Sequence, residues 1–173
     1  MKKLVALAGA AALFAVGVPA LAADSGPTDP QIAHIAYTAG ALDVEAGKLA
    51  LTKSHNPAVR DFAQQMVRDH EAVNGQAVAL VKKLGVTPEA NATSEALTKQ
   101  AAETRARLSA LDGAAFDRAY VANEVAFHKT VNSALQSTLI PSAHNAELKS
   151  LLESGLTLFR EHQAHAEMIE KKL

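Results

Sequence analysis

Two cap-plus-proline pairs, Asp29-Pro30 and Asn56-Pro57, each open a run of apolar residues spaced alternately three and four apart, and this pattern constrains the chain most. Proline fits the first helical position because its missing N–H would have no intrahelical partner there. The first helix is predicted to run to about Ser54 on a stripe of Ile32, Ile35, Ala39, Leu42, Ala46 and Leu49. The second carries Val59, Phe62, Met66, His70, Val73, Ala77, Leu80 and Leu84 up to a Gly85 stop, and the two form an antiparallel hairpin. After a loop containing Pro88, Thr93 or Ser94 caps a shorter helix to about Leu111, with a thin stripe of Leu97, Ala101, Thr104 and Leu108. Asp112-Gly113 breaks that segment, and a fourth helix continues through Phe116, Tyr120, Phe127, Val131 and Leu135 to about Leu139. Beyond Pro141 a last stripe joins Leu148, Leu152, Gly155, Phe159, His162, Ala166 and Ile169. No segment alternates as a strand would, so the expected fold is all-α, a four-helix bundle with the short helix as an accessory.

Ahead of these helices stand Lys2 and Lys3, an apolar run from Leu4 to Val18, and Ala20-Leu21-Ala22, the layout of a cleaved secretory signal over residues 1–22. The run is shorter than the roughly 20 residues that span a bilayer. Residues 23–28 then read as a linker and 29–173 as the bundle domain, exported to the periplasm, with no membrane-spanning segment after cleavage. Composition removes several function classes. With 17 Lys+Arg against 18 Asp+Glu there is no basic surplus for nucleic acid. The absence of Cys excludes disulfides, thiolate metal sites and thiol nucleophiles, and the absence of Trp removes stacking platforms. No nucleophile elbow or phosphate-binding Gly loop is present.

The informative residues are ionisable ones in apolar registers, because bundles build metal and cofactor sites from inward side chains on different helices. His70 lies between Met66 and Val73, and His162 between Phe159 and Ala166. Glu45 borders the first stripe, while Tyr120, Glu124 and His128 are successive i+4 neighbours. Glu45, His70, Glu124, His128 and His162 are thus the candidate ligands for iron, manganese or zinc, with Asp69, Tyr120 and His165 as supporting groups. Asp69 either orients an imidazole or pairs with a surface Arg. The competing reading has the same residues satisfying one another, Glu45 pairing with a His and His128 capped by Glu124, with no ion. Depth bears on Glu45: a hairpin folded at about His55 sets it opposite residue 65, roughly 7 Å short of His70 at 1.5 Å per residue.

The order of motifs resembles the ferritin-like domain-of-unknown-function 4142 proteins of bacteria, often described as periplasmic or outer-membrane proteins. The matching residues are Glu45-x-Gly47-x-Leu49-Ala50, Val59-x-x-Phe62-Ala63-x-x-Met66-Val67-x-Asp69-His70, Gly113-x-x-Phe116-Asp117-x-x-Tyr120 with His128, and His162. The resemblance implies a ferritin-like helical bundle in the cell envelope and no particular activity. A ferritin di-iron site uses Glu-x-x-His on two helices. Here Glu124/His128 and Glu161/His165 are spaced Glu-x-x-x-His, which fits a mononuclear or purely structural site better than a dinuclear oxidase. Two functions follow as expectations: a non-enzymatic envelope protein with a buried His/Glu/Asp cluster, acting through a protein partner or a second copy, or a metal-binding carrier or oxidoreductase.

Overall fold

The computed structural model describes residues 26–173, so the signal-peptide expectation lies outside the described residues. Four long helices form the bundle: α1 (Asp29–Lys53), α2 (Pro57–Leu84), α4 (Gly113–Ala134) and α6 (Ala146–Glu170), and α3 (Ala92–Ser109) lies against α1 and α4. Between α4 and α6 run a π-helical turn, Leu135–Leu139, and a single turn α5 (Ile140–Ser142). Among the described residues there is no strand, and no helix long and apolar enough to cross a membrane. The all-α expectation, with a short accessory helix, is met.

Local chemistry explains the helix boundaries and where they depart from expectation. Asn56 caps α2 by accepting from the Ala58 N–H at 3.0 Å, and Gly85 ends it in the left-handed conformation, φ 63°. Helix α3 starts earlier than expected because Asn91, a strong cap, accepts from Thr93 and Ser94 N–H groups, while its own N–H donates to Ser94 Oγ at 3.1 Å. Asp29 is the first residue of α1 and does not cap it. Its carboxylate instead accepts from the His144 and Asn145 N–H groups, both at 2.8 Å, tying the start of α1 to the start of α6. The fourth helix is not a regular α-helix to Leu139. It widens into the π-helical turn just ahead of Pro141, whose ring cannot continue a regular ladder, and this leaves both Leu135 and Leu139 buried.

The largest departure concerns which face of α1 meets the bundle. Its buried line runs Ile32, Ile35, Ala39, Asp43, Gly47 and Ala50, so from Ala39 onward it is rotated by one residue from the leucine stripe. Small residues on that line let α1 and α2 approach closely. A Cβ at Gly47 would stand 2.9 Å from Val67 Cγ2 and 3.1 Å from the Ala63 carbonyl oxygen. The displaced face of Leu42, Ala46 and Leu49 is half-buried and turns toward α3. Helix α1 therefore has two apolar faces, one for the bundle and one for the accessory helix. The bundle core itself divides in two: one apolar cluster surrounds Phe62, Met66, Phe116, Tyr120 and Ile169, the other Ile32, Leu135, Leu139, Leu148 and Phe159.

Candidate metal centre

Between those two apolar clusters lies a layer of buried ionisable side chains, one or more from each bundle helix: Asp43 on α1, His70 on α2, Glu124 and His128 on α4, and His162 on α6. None is more than 3% exposed. Ring nitrogens of His70, His128 and His162 lie within 4.8 Å of one another, as do ligand atoms of Asp43, Glu124 and His128. The ring centroids are 5.7 Å apart for His70 and His128, 5.3 Å for His70 and His162, and 5.6 Å for His128 and His162. Phe159 floors the group, stacked on His70 at 4.7 Å and 13°.

Hydrogen bonding settles which nitrogens are free. His128 Nδ1 is 3.0 Å from the Glu124 carbonyl oxygen, which only accepts, so Nδ1 carries the proton and Nε2 keeps its lone pair. His162 Nε2 donates to Asp69 Oδ2 at 3.0 Å, leaving Nδ1 unprotonated. Asp69 is held below its ordinary range despite partial burial, chiefly by Arg68, whose Nε lies 2.9 Å away, and by His162. It both orients an imidazole and pairs with an Arg, but the imidazole is that of His162 and not of its neighbour His70. His70 has no hydrogen bond on either nitrogen, and its Nε2 is 3.4 Å from Asp43 Oδ2.

The electrostatics favour neutral imidazoles. Burial and the neighbouring rings push His70 down to about 3 and His128 to about 4, and burial also lowers His162. The carboxyls move the other way: burial, and then Glu124, raise Asp43, while burial raises Glu124 to about 7. Tyr120, one turn before Glu124, is raised by burial and by both carboxylates. Seven atoms here have no hydrogen-bond partner: His70 Nδ1 and Nε2, Tyr120 Oη, Glu124 Oε1 and Oε2, His128 Nε2 and His162 Nδ1. Orphaned buried polar atoms are uncommon in folded proteins and normally call for an explanation. A cation supplies one, since neutral imidazoles with one nitrogen fixed by a carboxylate or carbonyl and the other free are the usual form of metal-ligating His.

The structure thus brings together four of the sequence-derived candidates, His70, Glu124, His128 and His162, with Asp69 and Tyr120 alongside. It does not bring Glu45 or His165. Glu45 is 55% exposed on the side-chain scale and pairs with Arg105 at 2.8 Å, because the rotation of α1 turns it toward α3. His165 bonds Gln65 at 3.0 Å and packs edge-on against Phe62, away from the layer. Asp43 takes the place expected of Glu45. Its signal was the small-residue line Ala39-Asp43-Gly47-Ala50, which competes with a more hydrophobic leucine line.

The profile of the family described as "Domain of unknown function (DUF4142)" matches residues 16–169. The chain belongs to that family. No curated protein matches the sequence significantly. Among solved structures, one described as CopM in the Cu(II)-bound form superposes with a TM-score of 0.65 over 85% of this chain and 98% of that one, at 12% sequence identity. At that identity the likeness is one of fold.

Proposed function

We propose that this protein binds one divalent transition-metal ion in the middle of its bundle, on His70, His128 and His162, with Asp43 and Glu124 as carboxylate donors beside them. The observation that carries this reading is the set of orphaned atoms: His128 Nε2, His162 Nδ1 and both His70 nitrogens have no protein partner, and one ring nitrogen from each of the three residues lies within 4.8 Å of the others. The metal-free reading accounts for the bonds of His128 to the Glu124 carbonyl and of His162 to Asp69, and leaves the remaining nitrogens of this layer without a partner. Imidazoles suit zinc, copper and ferrous iron, whereas manganese prefers an oxygen-rich set. For a fixed set of nitrogen and oxygen donors Cu(II) binds tightest. The Cu(II)-bound CopM structure of similar fold adds support for copper. With no Cys in the chain, the donors favour Cu(II) over Cu(I). The basic, apolar and Ala-x-Ala layout of residues 1–22 supports a periplasmic carrier or holder of the ion.

Elemental analysis of the protein purified without chelator from its own compartment tests this, followed by titration of the stripped protein with Cu2+, Zn2+, Fe2+ and Mn2+. The expected result is about one ion per chain, lost in a His70→Ala/His162→Ala variant that keeps its helical circular dichroism. No uptake of any of the four ions by the folded parent overturns the reading.

A further inference from the structure

Every ligand of the proposed site is buried, so an ion needs a passage; of the cavities in the described residues, one touches the cluster at His70 and Asp43 and another at Asp43. The first, about 70 Å3, lies between α1, α2, the π-helical turn and α6 and is almost wholly apolar, with walls such as Ala36, Val73, Leu135 and Leu152, ending on His70 and Asp43. An ion stripped of water has nothing to hold it there. The second is a cleft of about 210 Å3 between α1, α3 and α4. It has room for several waters at roughly 30 Å3 each. Its walls mix the leucine face of α1, Leu97, Leu108 and Phe127 with buried Asp43 and the polar side chains of Gln100, Thr104 and Asn123, which give a hydrated ion partners that the first space lacks. At its exposed edge Glu45 and Arg105 join α1 to α3 across the opening, their side chains 55% and 57% exposed.

The covering helix is held lightly. Only Ser94 and Leu108 of α3 are fully buried, and its far end is anchored by Lys53 Nζ, which donates to the Ser109 and Leu111 carbonyls at 2.6 and 2.7 Å. A helix with so little buried apolar surface can shift without opening the bundle core.

We propose that the cleft between α1, α3 and α4 is the passage by which a hydrated divalent cation enters and leaves, with Glu45 as the carboxylate that receives it and Arg105 as the cation it displaces. This rests on the metal reading above and assigns a task to α3 and to Glu45, the one sequence-derived candidate ligand that stands outside the cluster. An obstruction in a passage alters neither end state. It therefore changes loading and release by one common factor and leaves Kd unaltered. Charges at the opening act on the loading rate and fade with salt.

The test uses the whole mature protein and Cu2+ as probe, with loading followed by stopped-flow absorbance and release into excess EDTA. Ala101→Trp and Ala126→Trp obstruct the cleft from opposite walls, and each is expected to slow loading and release by about tenfold, with Kd kept within about twofold. Glu45→Gln slows loading and Arg105→Gln speeds it, each by about two- to fivefold at low salt and less at high salt. Parental rates in both obstructed variants overturn the passage while leaving the metal reading intact. So does a change in release alone with Kd moving in step, since that marks a residue that holds the site. If the tryptophan variants fail to fold, the two exposed charge variants decide: opposite shifts support the passage and equal rates overturn it. A parent that takes up no metal sinks the metal reading itself and the passage with it.

Discussion

Within one buried layer, His128 and His162 each commit one ring nitrogen to a protein acceptor and keep the other free, whereas Asp43 and Glu124 stand beside each other and repel when both are ionised. The imidazole half is oriented in advance and neutral, ready for a cation. The carboxylate half, with both groups raised by burial, favours the protonated form, and in the proposed site a cation takes the place of that proton. The two halves share an environment and respond to it oppositely, because low polarity disfavours the charged form of each: imidazolium on one side, carboxylate on the other.

The contrast predicts unequal effects. Replacing His128 by Ala removes a preset donor and is expected to weaken metal binding by about a hundredfold or more, while Glu124→Gln, which keeps an oxygen donor, costs less. Titration calorimetry on both variants checks this, and equal losses would erase the distinction between the halves. An ion present at 100 times its Kd adds about 2.7 kcal/mol, or roughly 5–10 °C in melting temperature, which chelation should remove. Asp69→Ala should weaken binding by about tenfold without loss of fold, because the acceptor that fixes the His162 tautomer is gone. Undiminished affinity would make Asp69 a surface partner of Arg68 alone.

The pH dependence of the metal-free protein sharpens the comparison further. His70 and His128 are depressed from 6.5, so their contribution is full above 6.5 and is lost as pH falls toward 4 and 3. Glu124 is raised from 4.5 to about 7, so its contribution is full below 4.5 and is lost as pH rises toward 7, and Asp43 acts in the same sense. Between pH 4.5 and 6.5 the two slopes oppose, and the parent's melting temperature should vary little. It falls below about 3.8, where the opposing carboxyl slopes have ended and Asp69, whose carboxyl is held low, loses its contribution along with the imidazoles. Glu124→Gln removes one opposing slope, so its melting temperature should climb with pH across 4.5–6.5; a profile parallel to the parent's would disprove the balance. The smallest effect belongs to Glu45→Gln. Outside the cluster and exposed, it should leave the equilibrium metal affinity within about fivefold at low salt and stability within about 0.5 kcal/mol.

Much of the fold was legible in residues 26–173. Asn56-Pro57, Gly85, Asp112-Gly113 and Pro141 punctuate the chain where the helices break, since caps, left-handed glycine and proline act through local backbone geometry. His70 and His162 were legible for a related reason: a charged-type residue flanked at i−4 or i−3 and at i+3 or i+4 by apolar neighbours shares their inward face. Asp43 was not. Periodicity ranks faces by hydrophobicity, and α1 carries a leucine face that meets α3 and a small-residue face that meets the bundle. Only the close approach of α2 at Gly47 decides which is central. The partner of Asp69 was equally hidden, because His162 is 93 residues away in sequence.

What the sequence determined alone was the all-helical architecture, the helix boundaries to within a few residues and three of the inward imidazoles, all set by interactions spanning a few residues. Tertiary structure decided which carboxylate joins them, which ring nitrogens stay free, and which helix covers the cleft beside Asp43. Each of those depends on how helices distant in sequence rotate and approach, and that is governed by close packing between them and not by the local pattern of either.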